Sequence, residues 1–311
     1  MAVLVSGSVA IDHIMVFRGR FKDLILPQHV HALNVAFHVP ELRHTWGGCA
    51  ANIAYHLRLL GEEPLVLATV GADFAAYAAW LDRHGIRRDW IRSLPGESTA
   101  GAYITTDLDD NQITGFHPGA MERSHEVRVE EVGAPYAAGI VSPNGKRAMV
   151  EHARALKARG VPTVVDPGQG LPILERDELV EMIEGASLYI VNDYEWSLTL
   201  ERSGLDGDAV AARVGAVIVT QGERGSLLRR GGDVQEIPSV TAEAVVDPTG
   251  AGDAYRAGLL YGLVRGQPLE HCARIGSLLG ALQVAHPGTQ NLEIDLAGIR
   301  SRFEREFGAP L

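Results

Sequence analysis

Basic residues are in short supply. The chain sets 28 Lys and Arg against 39 Asp and Glu over 311 residues, a formal net charge of −11. Binding a polyanion needs concentrated Lys and Arg, so nucleic acid and anionic membrane surfaces are excluded as partners. A phosphate-bearing small molecule must then be held by local backbone dipoles and a metal ion. Cysteine is scarcer still. Cys49 and Cys272 stand far from any CxxC spacing and read as ordinary thiols of a reducing compartment. No apolar run is long and clean enough to cross a bilayer, because Gly71 and Asp73 interrupt the most apolar window, Pro64 to Leu81. The opening MAVLVSGSVAID lacks a basic n-region and reads as a buried strand, which makes the cytoplasm the expected location. No G-x-x-x-x-G-K-[ST] occurs, since Gly145-Lys146 runs into Arg147, and the twelve histidines form no metal motif. His29 and His31 read as surface residues.

What is present is the balance of a packed protein: 46% hydrophobic and 22% charged residues. Val3–Ser6, Leu65–Val70, Gly139–Ser142, Thr163–Asp166, Leu188–Asn192 and Ala216–Thr220 read as buried strands. Helical patterns occupy Ala50–Leu60, Phe74–His84, Arg147–Arg159, Asp177–Ile183 and Ala209–Val214. Alternating strands and helices predict an α/β fold with a mostly parallel sheet covered on both faces. Ligands collect at the carboxyl ends of such strands. Two stretches break the rhythm, Ile14–Trp46 and Ala100–Phe116, the second a hairpin about Asp107–Asn111. Together they predict a small β-structured lid, roughly residues 14–46 and 98–118, on a single domain of residues 1–311. Short strands follow in Ser226–Val240, then two apolar helices, Gly252–Val264 and Leu269–Ala285.

The segment Val245-Val246-Asp247-Pro248-Thr249-Gly250-Ala251-Gly252-Asp253-Ala254-Tyr255 carries the most chemistry. A short apolar strand is expected to enter a Gly-rich turn from which a helix starts near Gly252. Glycines 250 and 252 let the backbone turn sharply and expose N–H groups at a helix N-terminus, an anion site. Asp253 would repel a phosphate there unless its task is to take a proton from an incoming hydroxyl. Read alone, the segment is equally a capped helix after a tight turn. Arg256, three positions on, reads as a solvent-facing arginine, with a role beside the carboxylate as the sharper alternative.

The pattern resembles the ribokinase-like (PfkB) carbohydrate and nucleoside kinase family, whose carboxyl-terminal signature is D-x-x-G-A-G-D. Gly47-Gly48-Cys49-Ala50-Ala51-Asn52 matches its G-G-x-x-x-N. Asn192-Asp193-Tyr194-Glu195 matches N-x-x-E, and Thr220-Gln221-Gly222-Glu223-Arg224-Gly225 matches T-x-G-x-x-G. The resemblance implies a three-layer ribokinase-like sandwich and ATP-dependent phosphorylation of a hydroxyl. Asp253 would be the catalytic base and Gly250, Ala251 and Gly252 the anion hole. Asp12, Gly48 and Asn52 would hold the sugar. Asn192 and Glu195 would lie near Mg²⁺, Glu195 through water. Thr220, Gly222 and Gly225 would line the nucleotide. Potassium near Asp247 and Thr249 is a further expectation from relatives.

Three details resemble the nucleoside branch: the flap Phe17–Val39, the hairpin exit Phe116–Met121, and Gly288-Thr289-Gln290-Asn291. Gln169, after a strand end, would offer its amide to a purine edge. Phe116, Phe37 and Met121 are candidate walls for a base, or else simply close the flap core. The stretch His286–Asn291 is the guess for the adenine pocket. The expectation is a purine-tolerant ribonucleoside kinase acting on the 5′-hydroxyl, a monomer or homodimer. A kinase for free ribose or fructose is the alternative within the class. A ligand-sensing protein that has lost the chemistry is the alternative outside it, and a nicotinamide oxidoreductase is more distant because no G-x-G-x-x-G follows the first strand.

Overall fold

The computed structural model describes residues 1–25, 34–109 and 111–311; His29, His31 and Asp110 lie outside the described residues. Elements are numbered along the chain. Alternate residues of the first strand, β1 (Ala2–Ser6), enter different cores: Val3 and Val5 pack on one side and Leu4 on the other. A strand buried on both faces belongs in the middle of a covered sheet. β1 pairs in parallel with β4 (Glu63–Val70) and with β8 (Ala138–Val141). Beyond β4 lies β5 (Ile91–Ser93). Beyond β8 come β9 (Thr163–Val165), β10 (Leu188–Asn192) and β11 (Val217–Thr220), all parallel. The antiparallel β12 (Ser226–Arg230) and β13 (Asp233–Ile237) close that edge of the nine-stranded sheet. Strand order reverses between β1 and β8, and a crevice at such a switch point is where ligands bind.

Helices cover both faces. α2 (Cys49–Leu59), α3 (Ala75–Arg83), α8 (Ala251–Leu263), α9 (Leu269–Gln283) and α10 (Leu296–Phe307) contribute to one core. α4 (Lys146–Ala158), α5 (Arg176–Ile183), α6 (Asp193–Ser203) and α7 (Gly207–Ala211) contribute to the other. The helices α8 and α9 meet where neither has a side chain. A Cβ on Gly258 would sit 2.8 Å from the Gly276 nitrogen, so backbones touch there and fix the direction of α8.

Among the described residues the smaller sheet has four strands, in the order β3 (Glu41–Gly47), β2 (Ala10–Val16), β6 (Ala100–Thr106) and β7 (Gln112–His117). Its hairpin turn is tied by the Asp107 carboxylate, which accepts the Asp109 and Asn111 amides at 2.9 Å. β2 starts at Ala10, so Asp12 stands on a strand and not on a turn after β1. Phe37, expected on a short strand, lies on irregular chain beyond the one-turn α1 (Phe21–Leu24). Its ring packs in tilted arrangement against Phe17 at 5.2 Å and Phe21 at 4.9 Å, closing the flap's own small core. Val245 and Val246 are not a buried strand either. They are 78% and 56% exposed, because the chain there hangs on Val284, whose carbonyl accepts both the Val246 and Asp247 amides. Among the described residues no helix is long and apolar enough to cross a membrane.

Candidate active site

Side chains alternate across a sheet, so register decides which residues share a face. Asp12 of β2 lies opposite Thr45 of β3 and Ala102 of β6, and Ala102 lies opposite Phe116 of β7. Asp12 and Phe116 therefore stand in one cross-strand row, separated by the small Ala102. Phe116 is 53% exposed, a large ring left uncovered on that face. Burial pushes the Asp12 carboxyl up to about 6. Gly47 is bare beside it: a Cβ there would fall 2.6 Å from Asp12 Oδ2.

α2 begins directly after this row. Gly48, its N-cap, has φ of 90°, and a Cβ would strike the Ser8 carbonyl and the Ala10 nitrogen, both at 2.6 Å. Glycine is thus demanded by the crossing of chain segments 8–10 and 47–49, where the sequence reading had assigned it to approach of a sugar. One turn on, Asn52 is buried and both ends of its amide are engaged. Nδ2 donates to Asp253 Oδ2 at 2.8 Å, and Oδ1 accepts from Gln290 Nε2 at 2.9 Å. Gln290 also donates to the Tyr77 hydroxyl at 2.7 Å and accepts from Trp80 Nε1 at 3.0 Å. Tyr77 in turn donates to the Gly47 carbonyl at 2.8 Å. Thr289 donates to the Trp46 carbonyl at 2.8 Å. Thr289 and Gln290, within the stretch expected to form the adenine pocket, are buried and brace Trp46, Asn52 and Tyr77.

The second half of the centre is the start of α8. Gly250 caps it in the left-handed region, with φ of 79°; the Ala251 amide donates to the Pro248 carbonyl at 3.3 Å, and among the described residues no side chain hydrogen-bonds to the first-turn amides of Ala251, Gly252 and Asp253. Gly252 is ordinary helix, not a sharp turn; its missing side chain has another cause. A Cβ there would lie 2.8 Å from Arg256 Nη1. Arg256 is not solvent-facing. It is 7% exposed and grips Asp166, at the carboxyl end of β9, through Nε and through Nη2, the latter at 2.6 Å from Oδ1. Burial would penalise an isolated arginine, so the pairing with Asp166 explains its place in the interior. Asp253 has its carboxyl pushed up to about 6, chiefly by burial; the Asn52 hydrogen bond and the Arg256 charge pull it down, and Asp166 pushes it up.

The remaining expected residues line the carboxyl ends of β10 and β11. Asn192 and Glu195 form a reciprocal cap on α6: Glu195 Oε2 accepts the Asn192 amide at 2.9 Å, and Asn192 Oδ1 accepts the Glu195 amide at 2.7 Å. Burial and then the charge of Asp166 raise the Glu195 carboxyl. Thr220 ends β11 and Gly222 faces open space in the following turn, while Gly225 packs on Ile237. An Arg224–Asp193 ion pair at 2.9 Å links this turn to the start of α6. Gln169 is exposed on a short 3-10 turn, three residues beyond Asp166, and no hydrogen bond joins it to the cleft among the described residues.

The pfkB family carbohydrate kinase profile matches residues 6–295. The chain belongs to the pfkB carbohydrate kinase family. Relatives agree with that breadth. A Burkholderia thailandensis nucleoside kinase, solved in complex with inosine, is 44% identical, covering 99% of this chain and 100% of that one, with a TM-score of 0.90. The same enzyme in complex with ADP-inosine is 46% identical over 99% of this chain and 97% of that one, with a TM-score of 0.87. A nucleoside kinase of Methanocaldococcus jannaschii is 34% identical over 262 residues, 83% of this chain and 85% of the relative.

In this pfkB kinase, then, the sequence motifs at 47–52 and 250–253 meet through one hydrogen bond, Asn52 to Asp253. Sequence reasoning missed the residues behind that contact. Tyr77 carried no signal, being one aromatic on a helical stripe. Gln290 was noticed for its loop and Arg256 for its spacing from Asp253, but neither could be paired without the fold.

Proposed function

We infer that this pfkB kinase transfers the γ-phosphoryl group of ATP to the 5′-hydroxyl of a ribonucleoside and tolerates purines. The observation that carries the reading is the Asn52–Asp253 contact, which sets a carboxylate with a raised pKa beside the Gly252 and Asp253 amides, for which the described residues supply no hydrogen-bond acceptor. Similarity over nearly the whole chain to a kinase solved with inosine supports the substrate class. Asp12 accepts the sugar hydroxyls, a use suited to a charged bidentate acceptor. Phe116, in the same row, supplies an apolar wall for the base, and the exposed Gln169, three residues beyond Asp166, offers its amide to a purine edge.

In the step itself, the 5′-oxygen attacks the γ-phosphorus while its proton passes to Asp253. The bond from phosphorus to the β–γ bridging oxygen breaks, and ADP leaves with that electron pair. The amides of Ala251, Gly252 and Asp253 hold the equatorial oxygens as charge spreads over them. Thr220, Gly222 and Gly225 flank the nucleotide. Glu195, half-buried and raised by desolvation and then by its acidic neighbour, suits a hydrated Mg²⁺ held through water, with Asn192 keeping the carboxylate in place. That ion, when bound, neutralises phosphate charge. Asp247 accepts the Thr249 and Gly288 amides, each at 2.9 Å, and stays ionised, which suits a potassium ion nearby. Two free cysteines fit a cytoplasmic enzyme.

A panel of inosine, adenosine, guanosine, cytidine, ribose and fructose, read by ADP release, tests the substrate. Inosine or another ribonucleoside should have the highest kcat/KM. Preference for free ribose or fructose would overturn the nucleoside reading. Asp253→Asn should retain ATP binding and lose about two to four orders of magnitude in kcat; normal turnover would remove Asp253 as the base.

A further inference from the structure

Arg256 is a charged group that acts on the proposed base and that the reaction scheme leaves unused. It lies on α8 three residues past Asp253 and is 7% exposed. Two of its nitrogens, Nε and Nη2, are spent on Asp166. The third, Nη1, lies against the first turn of α8, so close to Gly252 that a Cβ there would be 2.8 Å away. A bidentate clamp of this kind fixes the plane of a guanidinium as no lysine could be fixed. We propose that Arg256 is a positioning residue of phosphoryl transfer, a permanent cation that Asp166 clamps beneath the Gly250–Asp253 turn so that Asp253 stays ionised as anionic phosphate arrives.

The surroundings explain why a cation is needed. Asp253 faces α2, where Asn52 hydrogen-bonds to it and the Cys49 thiol is neutral. The Tyr77 hydroxyl on α3 is neutral and lies within the field of both Asp253 and Asp12. From the strand ends come only carboxylates, Asp166 beyond β9 and Glu195 on α6. Arg256 is the one positive charge acting on Asp253 among the described residues. Without it, the incoming γ-phosphate would favour the protonated, inactive acid. The Cβ clash also accounts for Gly252: any side chain there would push Nη1 away.

The inference rests on Asp253 being the base, and the tests separate the two. Arg256→Met should move the acid limb of kcat/KM for inosine upward by about one to three pH units. At neutral pH kcat should fall about tenfold or more, while KM for ATP changes little. Arg256→Lys restores charge without the fork, so its limb should return to within about half a unit of wild type while kcat stays reduced. Where Arg256→Met leaves Asp166 buried and unpaired and the chain fails to fold, Arg256→Gln keeps a donor for Asp166, removes the positive charge alone and carries the same test. A folded variant without that positive charge and with an unmoved acid limb would make the pair purely structural and overturn the proposal. So would a limb that moves as far in Arg256→Lys as in Arg256→Met. An active Asp253→Asn would instead refute the base assignment, independently of either result.

Discussion

The pH dependence of turnover is the sharpest consequence of the site, because two carboxyls in one cleft are shifted alike. Asp12 and Asp253 are each pushed up to about 6 by burial. The scheme needs both as anions, one to accept sugar hydroxyls and one to accept the proton. For a single group at this value, the ionised fraction falls from about nine-tenths at pH 7 to about one-tenth at pH 5. With both required, the active fraction falls by about a hundredfold, and log kcat/KM should approach a slope of about two below pH 6. The assay is initial-rate ADP release with limiting inosine and saturating ATP and Mg²⁺, from pH 4.5 to 8. Asp12→Asn removes one titration. Its residual activity should fall with a slope of about one, with the midpoint kept near 6 by Asp253. A wild-type midpoint near 4, or a slope unchanged by Asp12→Asn, would refute the claim that both carboxylates work from a desolvated cleft.

Three further outcomes follow from the same geometry. Asp12→Asn should stabilise the folded chain at pH 7 by about 1–3 kcal/mol, read by denaturant or thermal unfolding. The sign is fixed because the carboxyl binds its proton more tightly folded than unfolded; the penalty is complete above pH 6 and gone below about pH 4, so the gain should vanish there. Gly48→Ala forces a side chain into a left-handed backbone and against the Ser8–Ala10 chain, and should cost about 3 kcal/mol or more, seen as a fall in melting temperature or in soluble yield. Gln290→Leu removes the donor to Asn52 Oδ1 and leaves that oxygen buried and unpaired, so stability should fall by about 1–3 kcal/mol. With the Asn52 amide free to flip, kcat should drop while KM for ATP holds.

Most of the main sheet was legible because its strands are buried on both faces, and such strands announce themselves as unbroken runs of Val, Ile and Leu. Leu188–Asn192 was bounded to the residue, and the other five predicted strands fell within two residues of their ends. Helix α10 went unread, since its stripe rests chiefly on Ile299 and Phe303. The errors around the site share a different physical cause. Val245-Val246 looked like a strand because local apolarity does not reveal whether a neighbour will cover it. Arg256 looked exposed because an arginine in isolation belongs in water, and only Asp166, 90 positions away, makes its burial tolerable. The glycines were found and partly misread: a sequence shows that a side chain is missing, but not whether backbone, guanidinium or ligand occupies the space. A motif identifies which residues touch the reacting atoms. The groups that tune them are chosen by tertiary contact, and Asp253 is an instance, a carboxylate raised chiefly by burial and then adjusted by Asn52, Arg256 and Asp166, each contributed by a different part of the fold.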